Sequence, residues 1–209
     1  MEVVIGEDIT ISYILNDSIE AENFPVEISS DSLPYFIQKN FDSGKIVAKD
    51  RTTNPEHIFS KSIYYEYYYQ DLSQSKWILE DKFKVINNMK CQLAHIEYED
   101  SCTFYCWLYK ESEIDIMPWK FPKIRGLAVE IYSEDRDIVF ELSDGPTKSE
   151  IDVATYAVDS DTEADLDFIS HETRIGNMEQ SLIKIHEKVS KDLPEGATIS
   201  PPEINFYCY

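Results

Sequence analysis

The sequence predicts a mainly β fold with a minor helical part: a curved antiparallel meander sheet, or half-barrel, of about seven to nine strands with a C-terminal helix packed on it. Three observations predict it. Residues 63–142 divide into short runs of alternating polarity separated by turn residues, the period of a half-buried strand. The connections between runs are short, which antiparallel neighbours allow and parallel neighbours do not. Near the C-terminus, Met178, Leu182, Ile185 and Val189 switch to helical spacing.

Taken in order, residues 1–15 alternate as one strand with Val4, Ile9, Ile11 and Tyr13 as its apolar positions. The acidic stretch that follows is broken by Pro25 and Pro34 and reads as irregular, with a short helix expected over Tyr35 to Asn40. Asp42-Ser43-Gly44 marks a turn into a strand over Lys45 to Asp50, and Arg51 to Glu56 is a loop. Ile63 to Tyr69 is a tyrosine-rich strand. In Trp77 to Ile86, Trp77, Leu79, Phe83 and Val85 face one way and Glu80, Lys82 and Lys84 the other. Asn87-Asn88 then supplies a tight hairpin turn, since asparagine tolerates positive φ. Met89 to Tyr98 returns, and Cys102 to Lys110 has little polarity on either face, so both faces are expected to be covered. A connection carrying Pro118-Trp119 and Phe121-Pro122 leads to strands over Gly126 to Tyr132 and Asp137 to Leu142. Beyond it lie a strand over Ile151 to Val158, the acidic run Asp159 to Asp167, and a helix over Met178 to Leu193 that Pro194-Glu195-Gly196 ends. The 209 residues suit one domain: a core over 45–143, an N-terminal strand and irregular segment over 1–44, and an acidic loop, helix and tail over 144–209.

Hydrophobic content of 43%, with 13% aromatic residues, is enough for a core, and a net charge of −21 repels phosphate backbones and anionic membrane surfaces. Nucleic acid is therefore not an expected partner. No window reaches the roughly eighteen apolar residues of a membrane span, so an integral membrane protein is not expected. The N-terminus reads without a signal peptide, which places the chain in the cytoplasm as written, or in the periplasm if a signal preceded it. Cys91, Cys102, Cys106 and Cys208 match no zinc spacing. Cys102 and Cys106 lie about 13 Å apart along one strand and cannot bond to each other. Cys91 could oppose one of them across a hairpin in an oxidising compartment; otherwise these are buried thiols.

The sequence carries no constellation of reacting groups. No nucleophile turn, phosphate loop or paired-histidine zinc motif occurs, and His57, His95, His171 and His186 read as surface or structural residues. Asp159, Asp161, Glu163 and Asp165 imitate a calcium loop, but Ala164 stands where glycine belongs and Ser170 where glutamate should supply two oxygens. No cofactor or metal is expected. Were the chain an enzyme, carboxylates of the concavity such as Glu97 or Glu130 would be its acid and base. The remaining candidates are aromatic. Trp77, Phe104, Trp107, Trp119 and Phe121 serve either as core or as the lining of a site for an apolar small molecule or peptide. At the C-terminus, Phe206, Tyr207, Cys208 and Tyr209 follow Pro201-Pro202 like a modifiable segment after a spacer.

Several of these residues also form an ordered series: Trp77-Ile78, Lys82, Lys90-Cys91-Gln92-Leu93-Ala94, Phe104-Tyr105-Cys106-Trp107, Pro118-Trp119-Lys120-Phe121, and Gly126-Leu127-Ala128-Val129-Glu130-Ile131. In order and spacing the series resembles the GLPGLI family of Bacteroidetes proteins over roughly residues 45–143. The chain departs from it at Lys123 to Ala128, which keeps only the second glycine and its leucine, at Asn88-Met89, and at Cys102. The resemblance implies no established activity. Its strand order is similar to the half-barrel of LolA-type lipoprotein carriers, which implies an apolar ligand held between sheet and helix. The expected function is thus a non-catalytic binding module. The alternative is an accessory or substrate protein in peptide maturation, with Phe206 to Tyr209 recognised or modified. Exposed edge strands favour either a homodimer or a covering tail, and a protein partner is a further expectation.

Overall fold

The computed structural model describes residues 2–5, 9–14, 35–40, 44–62, 64–72, 75–98, 102–147, 168–194 and 197–200. The mainly β class with one C-terminal helix is as the sequence predicts. The strands form two sheets rather than one. The first contains β1 (Glu2–Ile5), β2 (Ile9–Ile14), β3 (Tyr35–Asn40), β4 (Lys45–Arg51), β5 (Tyr65–Asp71) and β11 (Phe168–Ser170). The second is a meander of β6 (Ile78–Ile86), β7 (Met89–Tyr98), β8 (Cys102–Tyr109), β9 (Leu127–Ser133) and β10 (Val139–Glu141). Neighbours are antiparallel except β11, which lies parallel to β5 with Phe168 opposite Tyr67.

Two readings of the N-terminal segment need correction. Residues 1–15 form a pair of strands, β1 and β2, in register from Glu2 against Tyr13 to Ile5 against Thr10. Tyr35 to Asn40 is strand β3, not a short helix. Its alternation is hidden because its apolar residues fall on both faces, with Phe36 and Ile37 both fully buried, and because Lys39 is 3% exposed where a lysine normally signals solvent.

The predicted turn at Asn87-Asn88 is present. Both residues have positive φ (48° and 64°), the conformation whose twist matches a two-residue hairpin. Strand β8 is covered on both sides, alternating between buried and half-buried residues. Strand β6 differs from its expected half-buried form: a bulge shifts its register between Leu79 and Phe83, and most of it is exposed.

The helix α1 (His171–Lys191) starts seven residues before the expected Met178, because Ser170 caps it by accepting from the Thr173 N–H at 3.2 Å. Its buried residues are Arg174, Ile175 and Ser181, whereas Ile185 and Val189 of the predicted stripe are exposed. Polar contacts hold it to the first sheet's edge, among them the Ser181 hydroxyl donating to the Thr53 carbonyl at 2.7 Å.

Between the sheets two apolar clusters meet. Ile96, Phe104, Cys106, Leu108, Met117, Phe121 and Ile131 form the core of the second sheet. Ile37, Ile46, Ala48, Tyr68 and Leu72 form that of the first, and Tyr98 and Trp119 pack against both. Gly126, just before β9, has φ 123°, and a Cβ there would sit 2.7 Å from the Tyr109 carbonyl oxygen. Gly126→Ala is therefore expected to lower stability by about 1–3 kcal/mol, read from the urea midpoint, because neither the dihedral nor the backbone neighbour can yield freely.

Candidate functional site

The structure gathers four of the five predicted aromatic residues. Phe121 lies 5.0 Å from Phe104, 5.3 Å from Trp119 and 5.6 Å from Trp77, measured between ring centroids, and Phe140 completes the group. These rings fill the space between the sheets; Phe104 and Phe121 are each 1% exposed. Trp107 is not among them. It stands three residues from Phe104 on one strand, so it faces the other way, packing near Cys91, Leu127 and Val129 beneath the Lys84 ammonium.

The loop from Met117 to Phe121 that delivers Trp119 and Phe121 is pinned to the first sheet. The Trp119 backbone N–H donates to the Ser12 hydroxyl at 3.0 Å, and its indole N–H donates to the Tyr35 hydroxyl. Trp119 itself holds φ 53°, a left-handed conformation unusual for a bulky residue, which these contacts enforce. The Lys39 ammonium, rising from β3, donates to the carbonyls of Met117 (2.7 Å) and Phe121 (2.5 Å).

Lys39 belongs to a set of buried polar groups that sequence reasoning missed. Lys120 is 8% exposed, its Nζ 5.6 Å from the Tyr68 ring centroid and 5.0 Å from that of Trp119. Arg174 of α1 stacks on Tyr68 at 4.5 Å and pairs with Glu66 at 2.5 Å and Asp50 at 2.9 Å. Burial pushes the Lys39 ammonium down to about 7, and burial together with the Arg174 charge does the same to Lys120. Burial and the Lys120 charge push His171 down to about 4, and burial pushes the Tyr68 phenol up to about 12. The only cue in the sequence was Lys120 itself, a lysine set between Trp119 and Phe121 in a proline-flanked loop.

These shifts set the pH dependence of folding. Between about 7 and the ordinary lysine value of 10.5, unfolded chains bind protons at Lys39 and Lys120 that folded chains release, so unfolding is increasingly disfavoured as pH rises. His171 acts in the same sense between about 4 and 6.5. Unfolding free energy is expected to increase from pH 6 to pH 9 by on the order of a few kcal/mol in urea titrations, and Lys39→Met should flatten the rise.

A second feature is the outer edge of β6. The core face of the second sheet runs from Phe104 and Cys106 on β8 across Ile96 and Ala94 on β7 to Leu79 on β6, and Phe83 and Val85 follow on the same face beside Gln92 and Lys90, with the Lys90 ammonium 5.0 Å from the Phe83 ring centroid. On that last strand the cover ends: Leu79 is 43%, Phe83 53% and Val85 67% exposed. Among the described residues β6 has β7 as its single neighbour. The other sheet edges, β1, β10 and β11, span four, three and three residues, against nine for β6. Ile86 and Met89 flank the two-residue turn and exchange both backbone bonds, so the N–H groups of Ile86 and Lys84 point at β7 while those of Val85 and Phe83 point outward.

The other predicted residues are dispersed. Glu97 is exposed, whereas Glu130 is nearly buried on the opposite face from the aromatic cluster and pairs with Arg136 at 3.2 Å and Lys84 at 3.4 Å. His95 meets Glu80 at 3.0 Å, and the Lys82 ammonium holds the Glu80 carboxyl below its usual range. His57 stacks on Tyr64. The cysteine reading is corrected in part: Cys91 and Cys106 are buried free thiols, but Cys102 is in a disulfide. Cys91 opposes neither Cys102 nor Cys106, because the register sets Tyr98 against Cys102 and Ala94 against Cys106. The tail Phe206 to Tyr209, the acidic run Asp159 to Asp167 and the strand expected over Ile151 to Val158 lie outside the described residues. No helix among the described residues is long and apolar enough to cross a membrane.

Fold and site together define a β-dominated α+β protein of two packed sheets with a buried polar cluster and, among the described residues, one long open edge. No protein-family model and no curated protein matches the chain. Two solved structures of PNGF-II, in space groups P21 and C2, are similar to it at 11% and 12% identity with TM-scores of 0.47 and 0.45. They cover 86% and 85% of this chain, and the chain spans 29% of the length of each.

Proposed function

We propose that the chain is a non-catalytic binding module that takes an extended peptide as an added strand along β6. The observation that carries this reading is the nine-residue edge, whose outward N–H groups accompany the exposed apolar side chains of Leu79, Phe83 and Val85 on one face. Local charge selects the peptide. In a chain of net charge −21, residues 76–90 hold four lysines against Glu80 and Asp81. A second copy would bring like charge to this edge, whereas a peptide with apolar residues at alternate positions and acidic residues between them complements it. The aromatic cluster is already filled by its own rings, which favours a peptide over an apolar small molecule. The residues carrying the GLPGLI resemblance lie between 77 and 131, on β6 to β9 and their connections, the part of the chain that presents this edge. A disulfide at Cys102 favours an oxidising compartment.

The test is anisotropy with a labelled peptide of alternating valine and glutamate, matched to the length of β6. Binding is expected to weaken as salt rises and to be lost in Val85→Pro. That proline removes an outward N–H while leaving the bonds to β7 intact, so the fold is kept. Binding unchanged by Val85→Pro, or no binding below about 1 mM, would overturn the proposal.

A further inference from the structure

Three buried side-chain polar atoms among the described residues lack a hydrogen-bond partner: the Tyr68 hydroxyl, Gln70 Oε1 and His171 Nδ1. They are close in the fold. Tyr68 and Gln70 share one face of β5, and His171 directly follows Ser170, which pairs with Tyr69. The Tyr68 and His171 rings lie 6.3 Å apart, and the Lys120 Nζ approaches the same Tyr68 ring. Tyr68 is fully buried. Buried polar groups left unpaired are rare because each forfeits its hydration, and three on adjoining positions of β5 and the start of α1 mark a place built for something to be held there.

The donor set indicates what is held. A tyrosine hydroxyl, an imidazole N–H and a lysine ammonium all donate, and the Gln70 amide turned by half a revolution donates as well. His171 opens α1, so the helix N-terminus adds its positive end. The nearby carboxylates Asp50 and Glu66 are already engaged by Arg174. We infer that Tyr68, Gln70, Lys120 and His171 form an internal site for one small oxyanion, at the junction of β5, α1 and the Trp119 loop. This site is separate from the β6 edge and does not depend on peptide binding there.

Binding should carry a proton. The charged and titratable groups facing Lys120 are Arg174 and His171 from α1, Asp50 from β4 and Tyr68 from β5, with Glu66 of β5 and Tyr35 of β3 acting on Tyr68 behind them. Without an anion, burial and Arg174 push Lys120 down to about 7. An anion beside it restores the ammonium, so at pH 8 the complex takes up a proton and affinity falls as pH rises.

Calorimetric titration with sodium formate, and separately with inorganic phosphate, tests the site at constant ionic strength in two buffers of different ionisation enthalpy. Saturable binding of at least one probe is expected, with proton uptake at pH 8 and affinity reduced roughly 10-fold or more in Tyr68→Phe. His171→Asn, which keeps the fold while removing the ring, should weaken binding likewise. Heats that never saturate for either probe, or binding that Tyr68→Phe and His171→Asn leave unchanged, would overturn the inference. Binding without proton uptake at pH 8 would remove Lys120 from the site and overturn it as drawn.

Discussion

Phe121→Ala is expected to lower the unfolding free energy by about 3–5 kcal/mol, measured by urea denaturation. The ring is 1% exposed and touches Trp77, Phe104, Trp119 and Phe140, so truncation leaves a void bounded by rigid rings that cannot collapse into it. The loss extends beyond one sheet. The Phe121 carbonyl also accepts from Lys39 of β3, and any shift of the loop loosens that bond. Trp107→Ala provides the contrast. Trp107 is only half-buried on the opposite face, so the smaller loss should come from the larger side chain. Equal losses would contradict the assignment of Phe121 as the plug between the sheets.

Arg174→Met should also remove about 3–5 kcal/mol, for an electrostatic reason. Methionine replaces much of the buried stem, so packing changes little. What is lost is the guanidinium that pairs with Glu66 and Asp50 and donates to the Arg51 carbonyl at 3.2 Å. Glu66, with its side chain 11% exposed, then keeps only Thr52 and Thr53 as donors. Glu66→Gln in the Arg174→Met background should restore part of the stability, since the amide carries no charge to strand. No recovery in that double variant would place the cost in packing instead.

The local parts of this fold were legible because local chemistry decides them. Asn87-Asn88 fixes a hairpin whatever surrounds it, and the alternation from Cys102 to Tyr109 belongs to a strand in any context. What the sequence withheld depends on distant partners. Nothing within Tyr35 to Asn40 reveals that Lys39 will meet two carbonyls from residues 117 and 121. A lysine on that face argues against burial until the acceptors are known. The division into two sheets was hidden for the same reason, since a meander reads identically whether or not a break falls between β5 and β6. Four of the five candidate aromatics came together because bulk and apolarity alone draw them inward. Trp107 was misgrouped although strand parity with Phe104 already separated the two. Tyr68 and His171 were not singled out because unpaired polarity becomes visible only once burial is known, and Arg174 because its carboxylate partners lie more than a hundred residues away.

The pairing of β11 with β5 has a topological consequence. Every strand of the second sheet lies in the chain between those two strands. The five-stranded meander is therefore nested inside the six-stranded sheet, and no single cut separates the two. A break anywhere from β6 to β10 severs β11 and α1 from the strand they complete, and with them Arg174 from Glu66. Conversely, unravelling the inserted meander withdraws residues 117 to 121 and leaves Lys39 to water. Each half guards the other's buried charges, which makes the two sheets one cooperative unit despite their separate hydrogen-bond ladders.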